Sequence, residues 1–242
     1  MQNDLKQLWH LAFGDGEEFI NMFFQTAYHP EKCLYLTEDG QIAAALYWLD
    51  CEFQGQKQAY IYAVATHPDH RGKGLCRRLM EQTHDVLKQQ GYTAALLRPA
   101  DEGLRRMYRK MGYRTATCVT EFPCTAGEAI PLQKIGPEDY ARLRRKFLPE
   151  GGVIQEGVNI PYLQTYAEFY SGADFLLAGI SSREDFLGIE LLGNREAAPG
   201  ILAALGCETG SFRCPGGQLP FGMFLPLAEN AKEPSYLGLV FD

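Results

Sequence analysis

The sequence lacks any apolar run of about 18 residues, the length that a transmembrane helix needs. Its first residues, Met1-Gln2-Asn3-Asp4, lack the basic and then apolar pattern of a signal peptide. Positive charge is not in surplus either, because 23 Lys and Arg stand against 30 Asp and Glu. Nucleic-acid binding needs a basic face. We therefore expect a cytoplasmic protein that has neither a membrane nor a nucleic acid as its partner.

Features of disulfide frameworks and of metal sites are missing as well. The seven cysteines are odd in number and irregular in spacing, and no C-x-x-C occurs. Such a pattern is typical of reduced cysteines in a reducing compartment. His67 and His70 form an H-x-x-H beside Asp69, but no third ligand is evident, so no metal is predicted.

What the sequence does contain is enough apolar material for one large or two small domains: 242 residues, 46% of them hydrophobic. Hydrophobic periodicity and turn signals, such as Asp39-Gly40 between two apolar runs, predict a mixed α and β chain. Predicted helices cover 3–13, 16–27, 74–90, 102–111, 161–170 and 197–205, and a further helix begins at 136–139. Predicted strands cover 33–37, 41–53, 59–66, 93–97, 113–122, 130–135, 175–180, 186–192, 210–214, 221–227 and 236–241.

The segment 60–78 carries the clearest chemical signal. A strand ends there, a short basic loop with two glycines follows, and a helix begins at once. Glycines let the backbone approach an anion closely, and the N–H groups and dipole of the helix start favour a pyrophosphate. A P-loop is excluded because Lys73 precedes Gly74, and a dinucleotide fingerprint is excluded because Arg77 occupies the third glycine position. The candidate binding residues are Arg71, Gly72, Lys73, Gly74, Leu75, Cys76 and Arg77.

At these residues the chain resembles the GNAT superfamily of acyl-CoA-dependent N-acetyltransferases. The family's loop [QR]-x-x-G-x-[GA] reads Arg71-Gly72-Lys73-Gly74-Leu75-Cys76, after the family's usual His67-Pro68. A second family feature, a helix ending in an aromatic and followed by Gly-aromatic, reads Met107-Tyr108-Arg109-Lys110-Met111-Gly112-Tyr113. The resemblance covers about residues 3–122. It departs from the family at Cys76, where Gly or Ala is usual, and in the missing first strand.

The resemblance implies an α/β GNAT fold with a central, mostly antiparallel sheet flanked by helices. An acetyl-CoA-binding domain is expected over 1–125. Residues 130–145 have the strand, turn and acidic helix start with which the same fold would begin again, so a second, smaller GNAT-like α/β unit is expected over 126–242. This unit is expected to be degenerate, because it contains no second Arg-x-x-Gly-x-Gly. The implied reaction moves an acetyl group from acetyl-CoA to a small-molecule or peptide amine by direct attack in a ternary complex, without a metal. Whether the protein forms a homodimer is left open.

The family match also implies roles for individual residues. Backbone groups of Val64, Ala65 and Thr66 would bind the pantetheine arm and polarise the thioester carbonyl. Tyr108 matches the general acid that protonates the leaving thiolate. The general base is not identified, and the open alternatives are a water relay or one of four acids, Asp50, Glu52, Glu121 and Asp242.

Several alternatives stay open beside this interpretation. A cysteine at a helix start beside arginines is expected to have a depressed pKa, so Cys76 could carry an acyl group, although a small residue in a glycine position is the simpler reading. Five aromatics, Trp9, Phe23, Phe24, Tyr47 and Trp48, could line an acceptor pocket but are more typical of a core. The rival function is a non-catalytic acyl-CoA sensor or interaction module. It is supported by the lack of an identifiable general base and by Cys76, which replaces the Gly or Ala usual in the family.

Overall fold

The computed structural model describes residues 1–182 and 185–241, and within them the chain forms two compact units. Unit 1 contains Met1–Arg114, Gly157–Tyr162 and Met223–Glu233. Unit 2 contains Thr115–Glu156, Leu163–Gly222 and Pro234–Asp242, of which Arg183, Glu184 and Asp242 lie outside the described residues. The predicted division between residues 125 and 126 concerns separable domains and stays a prediction.

Seven helices and thirteen strands are numbered here in chain order, over the described residues. The helices are α1 Gln2–Phe13, α2 Glu17–Thr26, α3 Leu75–Gln89, α4 Glu102–Arg109, α5 Pro137–Phe147, α6 Asn159–Gln164 and α7 Ala198–Leu205. The strands are β1 Cys33–Glu38, β2 Gln41–Phe53, β3 Gln56–Thr66, β4 Ala94–Leu97, β5 Arg114–Thr115, β6 Cys118–Thr125, β7 Gln133–Ile135, β8 Glu168–Ser171, β9 Phe175–Ser181, β10 Asp185–Gly193, β11 Thr209–Pro215, β12 Leu219–Pro220 and β13 Met223–Pro226. The chain opens on a helix, as the missing first strand predicted.

Unit 1 is built on a six-stranded sheet in the order β1-β2-β3-β4-β13-β5. Strands β1, β2 and β3 form an antiparallel meander, β3 pairs with β4 in parallel, and β13 pairs with β4 antiparallel. The β1–β2 turn has positive φ at both Asp39 and Gly40, as a two-residue hairpin requires, which confirms the Asp-Gly prediction. The sheet is thus mostly antiparallel, with its parallel pair at β3 and β4.

Both faces of this sheet are covered because β2 and β3 alternate buried side chains to either side. Leu46 and Trp48 point to the face where α3 packs, in one cluster with Leu79 and Met80. Tyr47 and Tyr62 form the other face, where they contact rings of α1 and α2. The five aromatics therefore lie in the core, as the simpler reading held, although Trp48 faces away from the other four.

Unit 2 has its own seven-stranded sheet in the order β12-β6-β11-β10-β9-β8-β7. Its pairs are antiparallel except β10 with β11. Helix α7 contributes Ile201 and Leu202 to a core shared with Phe186 and Phe212. A second mixed α and β unit was predicted, and the structure has one.

Two predicted elements in the second half are wrong. The helix over 161–170 ends at Gln164, and Glu168–Ser171 is instead strand β8, paired with β7 and β9. The strand over 236–241 is irregular apart from one bridge at Tyr236. There the Gln155 side chain satisfies the backbone, since its Nε2 donates to Leu239 O at 2.7 Å and its Oε1 accepts from Leu239 N at 3.1 Å.

Among the described residues, no helix is long and apolar enough to cross a bilayer.

Candidate active site

The loop between β3 and α3 has the backbone of an anion cradle. Gly72 and Gly74 both have left-handed φ, +78° and +77°, and a side chain added at either would meet nothing within 4 Å. Gly74 is the N-cap of α3, and no side chain caps that helix. The first N–H groups of a helix have no intrahelical partner. The loop therefore offers exposed backbone donors with open space before them, which fits a pyrophosphate.

Cationic side chains surround this loop, and each is held by a weak or exposed contact. Arg71 reaches back to the carbonyl oxygens of Thr66 at 3.4 Å and Ala12 at 3.5 Å. Lys73 Nζ lies 3.2 Å from the His70 ring. Arg77 donates to Lys110 O at 3.4 Å. All three cations are exposed, so an anion in the loop can recruit them without breaking a buried contact.

A cleft opens where β3 and β4 separate. Their parallel pairing runs from Gln58–Ala94 to Tyr60–Leu96, whereas β3 continues to Thr66. Residues 61–66 of β3 therefore extend beyond the paired part of β4. The predicted residues Val64, Ala65 and Thr66 lie in this stretch, which leads directly into the loop.

Sequence reasoning missed a distortion in this stretch. Ala63 has a φ of +47°, rare for a residue with a side chain, and the β2–β3 register shifts at the same point, between Ala45 and Tyr47. A β-bulge re-aims backbone groups, and strained backbone tends to occur at functional sites. No glycine marks the position, so the sequence carries no signal for it.

Tyr108 lies on α4 and packs in the α3-side core with Leu75 and Cys76 at the start of α3. Helix α4 is fixed at its start by Asp101, whose side chain accepts from Leu104 N at 2.7 Å. In the part of the chain that the structure describes, no hydrogen bond holds the Tyr108 hydroxyl. Burial and the nearby Cys76 raise the pKa of Tyr108, so its hydroxyl keeps its proton at neutral pH. A protonated phenol is the state that a general acid needs.

The expectation of a depressed pKa at Cys76 is wrong. The thiol is half-buried against the α3-side core, and burial raises its pKa. Desolvation disfavours the thiolate more than the exposed cations of the loop favour it. Cys76 is thus a small packing residue at the glycine position of the loop.

The four acids considered as bases have different environments. Asp50 accepts from Lys32 at 2.7 Å and from the Tyr92 hydroxyl. Burial alone would raise the pKa of Asp50, but the hydrogen bonds from Lys32 and Tyr92 help to bring it below its ordinary value. The carboxylate therefore stays ionised and hydrogen-bonded. Glu52 is exposed, Glu121 belongs to unit 2 and accepts from Arg213 at 2.8 Å, and Asp242 lies outside the described residues. No further observation favours any of them.

Over 1–182 and 185–241, no group of three or more His, Cys, Asp and Glu side chains is placed to hold a metal ion. His67 instead caps the short 3₁₀ turn Pro68–His70, where its ring accepts from Asp69 N at 3.3 Å.

Comparison with known proteins finds a similarity to a family model over residues 2–116. A family model described as the acetyltransferase (GNAT) domain matches residues 2–116. This range includes the β3–α3 loop, the cleft and Tyr108. No curated protein sequence matches the chain.

Solved structures show the same fold over nearly the whole chain. One is a conserved protein of unknown function from Enterococcus faecalis V583, a probable N-acyltransferase, at 15% identity, with 93% of this chain and 70% of that chain covered and a TM-score of 0.70. A GCN5-related N-acetyltransferase from Kribbella flavida has 18% identity, 93% and 69% coverage and a TM-score of 0.68. A tandem GNAT protein from the clavulanic acid biosynthesis pathway has 12% identity, 95% and 96% coverage and a TM-score of 0.57.

At these identities the solved structures establish only the fold, whereas the family model matches a domain over residues 2–116. The two sheet-based units fit a tandem arrangement. Residues 2–116 match the acetyltransferase (GNAT) domain model, and the chain shares its fold with the solved structures.

Proposed function

We propose that this protein is an N-acetyltransferase that moves the acetyl group of acetyl-CoA to an amine by direct attack in a ternary complex. The observation that carries the proposal is the continuous path from the cleft between β3 and β4 into the loop with Gly72 and Gly74. A pantetheine arm fits alongside Val64 to Thr66, beyond the last β3–β4 pair, and a pyrophosphate fits the loop at the start of α3. Bound acetyl-CoA would supply an activated thioester.

The chain's own groups would then position the reactants and move protons. Backbone N–H groups of Val64 to Thr66 would orient the arm and polarise the carbonyl, which is an orientation and electrostatic contribution. The Tyr108 hydroxyl, protonated at neutral pH, would give its proton to the leaving sulfur. Exposed Arg71, Lys73 and Arg77 would neutralise the phosphates. The acceptor in this proposal is a small-molecule or peptide amine, and the enzyme is cytoplasmic, as the sequence led us to expect.

The loop is tested with two matched glycine variants. Gly74→Glu places a carboxylate where the pyrophosphate would bind. Gly55→Glu is the control, because Gly55 has the same φ of +77° and the same open space but lies in the β2–β3 turn at the other end of β3. Both changes cost similar backbone strain.

The readouts are acetyl-CoA binding by calorimetry and free CoA thiol released in the presence of pooled amines. We expect binding and release in wild type and Gly55→Glu, and neither in Gly74→Glu. Binding without release by wild type, whatever the amine, would favour the acyl-CoA sensor. Equal binding by Gly74→Glu would refute the placement of the cofactor.

A further inference from the structure

The turn between α1 and α2 presents a carboxylate that the sequence did not single out. Asp15 lies between Gly14 and Gly16 and is half-buried. Its Oδ2 accepts from the Trp9 indole N–H at 2.7 Å, and its backbone oxygen lies 2.8 Å from His10 Nδ1. The carboxylate is thereby fixed in direction. Among the described residues, no hydrogen bond occupies its second oxygen, Oδ1.

Two tyrosines belong to the ring cluster of Trp9, whose indole donates to this carboxylate. Tyr62 on β3 and Tyr162 on α6 share a hydrogen bond of 2.9 Å. Burial raises the pKa of Tyr162, the hydrogen bond with Tyr62 lowers it, and the charge of Asp15 raises it. Either hydroxyl of the pair can be the donor to the other.

The position of Tyr62 along β3 relates Asp15 and the two tyrosines to the cleft. Tyr62 lies two residues beyond Tyr60, where pairing with β4 ends, and directly before the bulge at Ala63. Arg71, in the loop beyond β3, reaches Ala12 O at the end of α1, so the α1–α2 turn lies near the carboxyl end of β3. Asp15 therefore belongs to the same end of the sheet as the thioester site.

The side chain that orients Asp15 is anchored in a cluster of buried aromatic rings. Trp9 contacts Phe23 and Tyr62, with ring centroids 5.0 and 5.5 Å apart, and Phe23 contacts Tyr162 at 5.4 Å. These rings are buried and hold the Trp9 indole in place, whereas Asp15 itself is only half-buried. A carboxylate with a vacant oxygen accepts from an ammonium group. The titratable or charged groups around Asp15 are His10, Arg71, the Tyr62–Tyr162 pair, and the exposed acids Glu17 and Glu18 in the first turn of α2.

We propose that Asp15 is the catalytic carboxylate on the acceptor side: it binds the ammonium form of the acceptor and takes its proton. The acceptor is accordingly an amine that is cationic at neutral pH. This inference rests on the proposed function, because it concerns the second substrate of the same reaction.

The proton and electron balance is simple. One N–H proton of the ammonium passes to Asp15 Oδ1, and the neutral nitrogen then forms a bond to the thioester carbon while the C–S bond breaks. The thiolate takes a proton from Tyr108, the new amide nitrogen loses its second proton to restore Tyr108, and Asp15 releases its proton to solvent. The net products are an amide, free CoA and one proton.

The kinetic test compares Asp15→Asn with Glu18→Gln. Asn keeps an oxygen for the Trp9 indole, and Glu18 is an exposed acid three residues away, so the control loses the same charge. With the best amine of a pooled panel, we expect kcat/KM of Asp15→Asn to fall about 100-fold at pH 7, the scale of general-base catalysis. Acetyl-CoA affinity should stay unchanged, and Glu18→Gln should match wild type.

The pH profile separates a catalytic role from a structural one. The deficit of Asp15→Asn should shrink about tenfold for each pH unit toward the pKa of the amine, because a neutral amine no longer needs the carboxylate. A deficit that is independent of pH, or none at all, would overturn the assignment while leaving the acetyltransferase proposal intact.

A binding readout does not depend on turnover. The chain has two tryptophans, so the indole N–H signals of Trp9 and Trp48 can be followed by NMR while benzylammonium is added to the CoA-saturated protein. We expect the Trp9 signal to shift with benzylammonium but not with benzyl alcohol, and the shift to vanish in Asp15→Asn. Trp48 is the internal control. A shift without amide formation in any assay would contradict the proposed function alone, and no shift would contradict the role of Asp15.

Discussion

Replacing Glu190 by Gln is expected to destabilise unit 2 strongly. Glu190 is fully buried, and its carboxylate accepts from Arg144 Nε at 2.7 Å and Nη2 at 2.9 Å. It also accepts from the hydroxyls of Tyr140 at 2.6 Å and Tyr236 at 3.1 Å. Burial by itself lowers the pKa of Arg144, but Glu190 raises it above its ordinary value, so the guanidinium stays charged.

The magnitude follows from the charge that the substitution leaves behind. Gln has nearly the size of Glu, so packing is kept, but the guanidinium of Arg144 loses its counter-charge while it is 2% exposed. Breaking a buried pair from one side costs about 3–5 kcal/mol. With a urea m-value of about 2 kcal/mol/M, the unfolding midpoint should fall by about 2 M.

The assay is urea unfolding followed by circular dichroism, with a neighbouring pair as control. Arg145 and Glu156 form an ion pair in the same unit, but Arg145 is 59% exposed. Exposed pairs contribute at most about 1 kcal/mol, so Glu156→Gln should shift the midpoint by less than about 0.5 M.

A double variant tests the reasoning itself. Arg144→Met with Glu190→Leu removes both charges and should be more stable than Glu190→Gln, because no unpaired charge is left buried. Part of the loss should remain, because the hydroxyls of Tyr140 and Tyr236 lose their acceptor. If Glu190→Gln lost less than about 1 kcal/mol, the account of this buried charge pair would be refuted.

The remaining predictions concern unit 1. Tyr108→Phe should keep CoA affinity and lower turnover at least about tenfold, measured by thiol release, because the phenol proton is lost without a change in packing; unchanged turnover would remove Tyr108 from the mechanism. Burial lowers the pKa of His84 to about 4, so the unfolded chain binds the proton more tightly and stability is lost as pH falls from about 6.5 toward 4. The free energy of unfolding should drop by about 2 kcal/mol between pH 7 and 4.5, and His84→Gln, which can still bond the Tyr113 hydroxyl, should remove that part of the slope. An equal slope in the variant would contradict the assignment.

Much of unit 1 could be predicted because local signals and tertiary structure agree there. Gln41–Phe53 is one strand as predicted, since turn residues with positive φ bound it on both sides. The loop with Gly72 and Gly74 was predictable because its conformation requires glycine. The bulge at Ala63 was not, because a residue with a side chain occupies it and long-range register imposes it.

The second half shows the opposite case. Tyr236–Phe241 has the composition of a strand, yet Gln155, 84 positions earlier than its partner Leu239, satisfies that backbone. Asp15 gave no signal for a similar reason, since its neighbours in space, Tyr62 and Tyr162, are far away in sequence. Contacts of this range leave no periodicity, so sequence reasoning finds the loop motif but not the acceptor side.

The central claim, acetyl transfer to an amine, is tested most directly by following the acetyl group itself. The protein is incubated with acetyl-CoA labelled with ¹³C in the acetyl group and with pooled amines, and the products are identified by mass spectrometry. The account predicts a labelled amide in wild type and in Gly55→Glu and none in Gly74→Glu. Labelled acetyl that stays on CoA in wild type, with the cofactor bound, would contradict it.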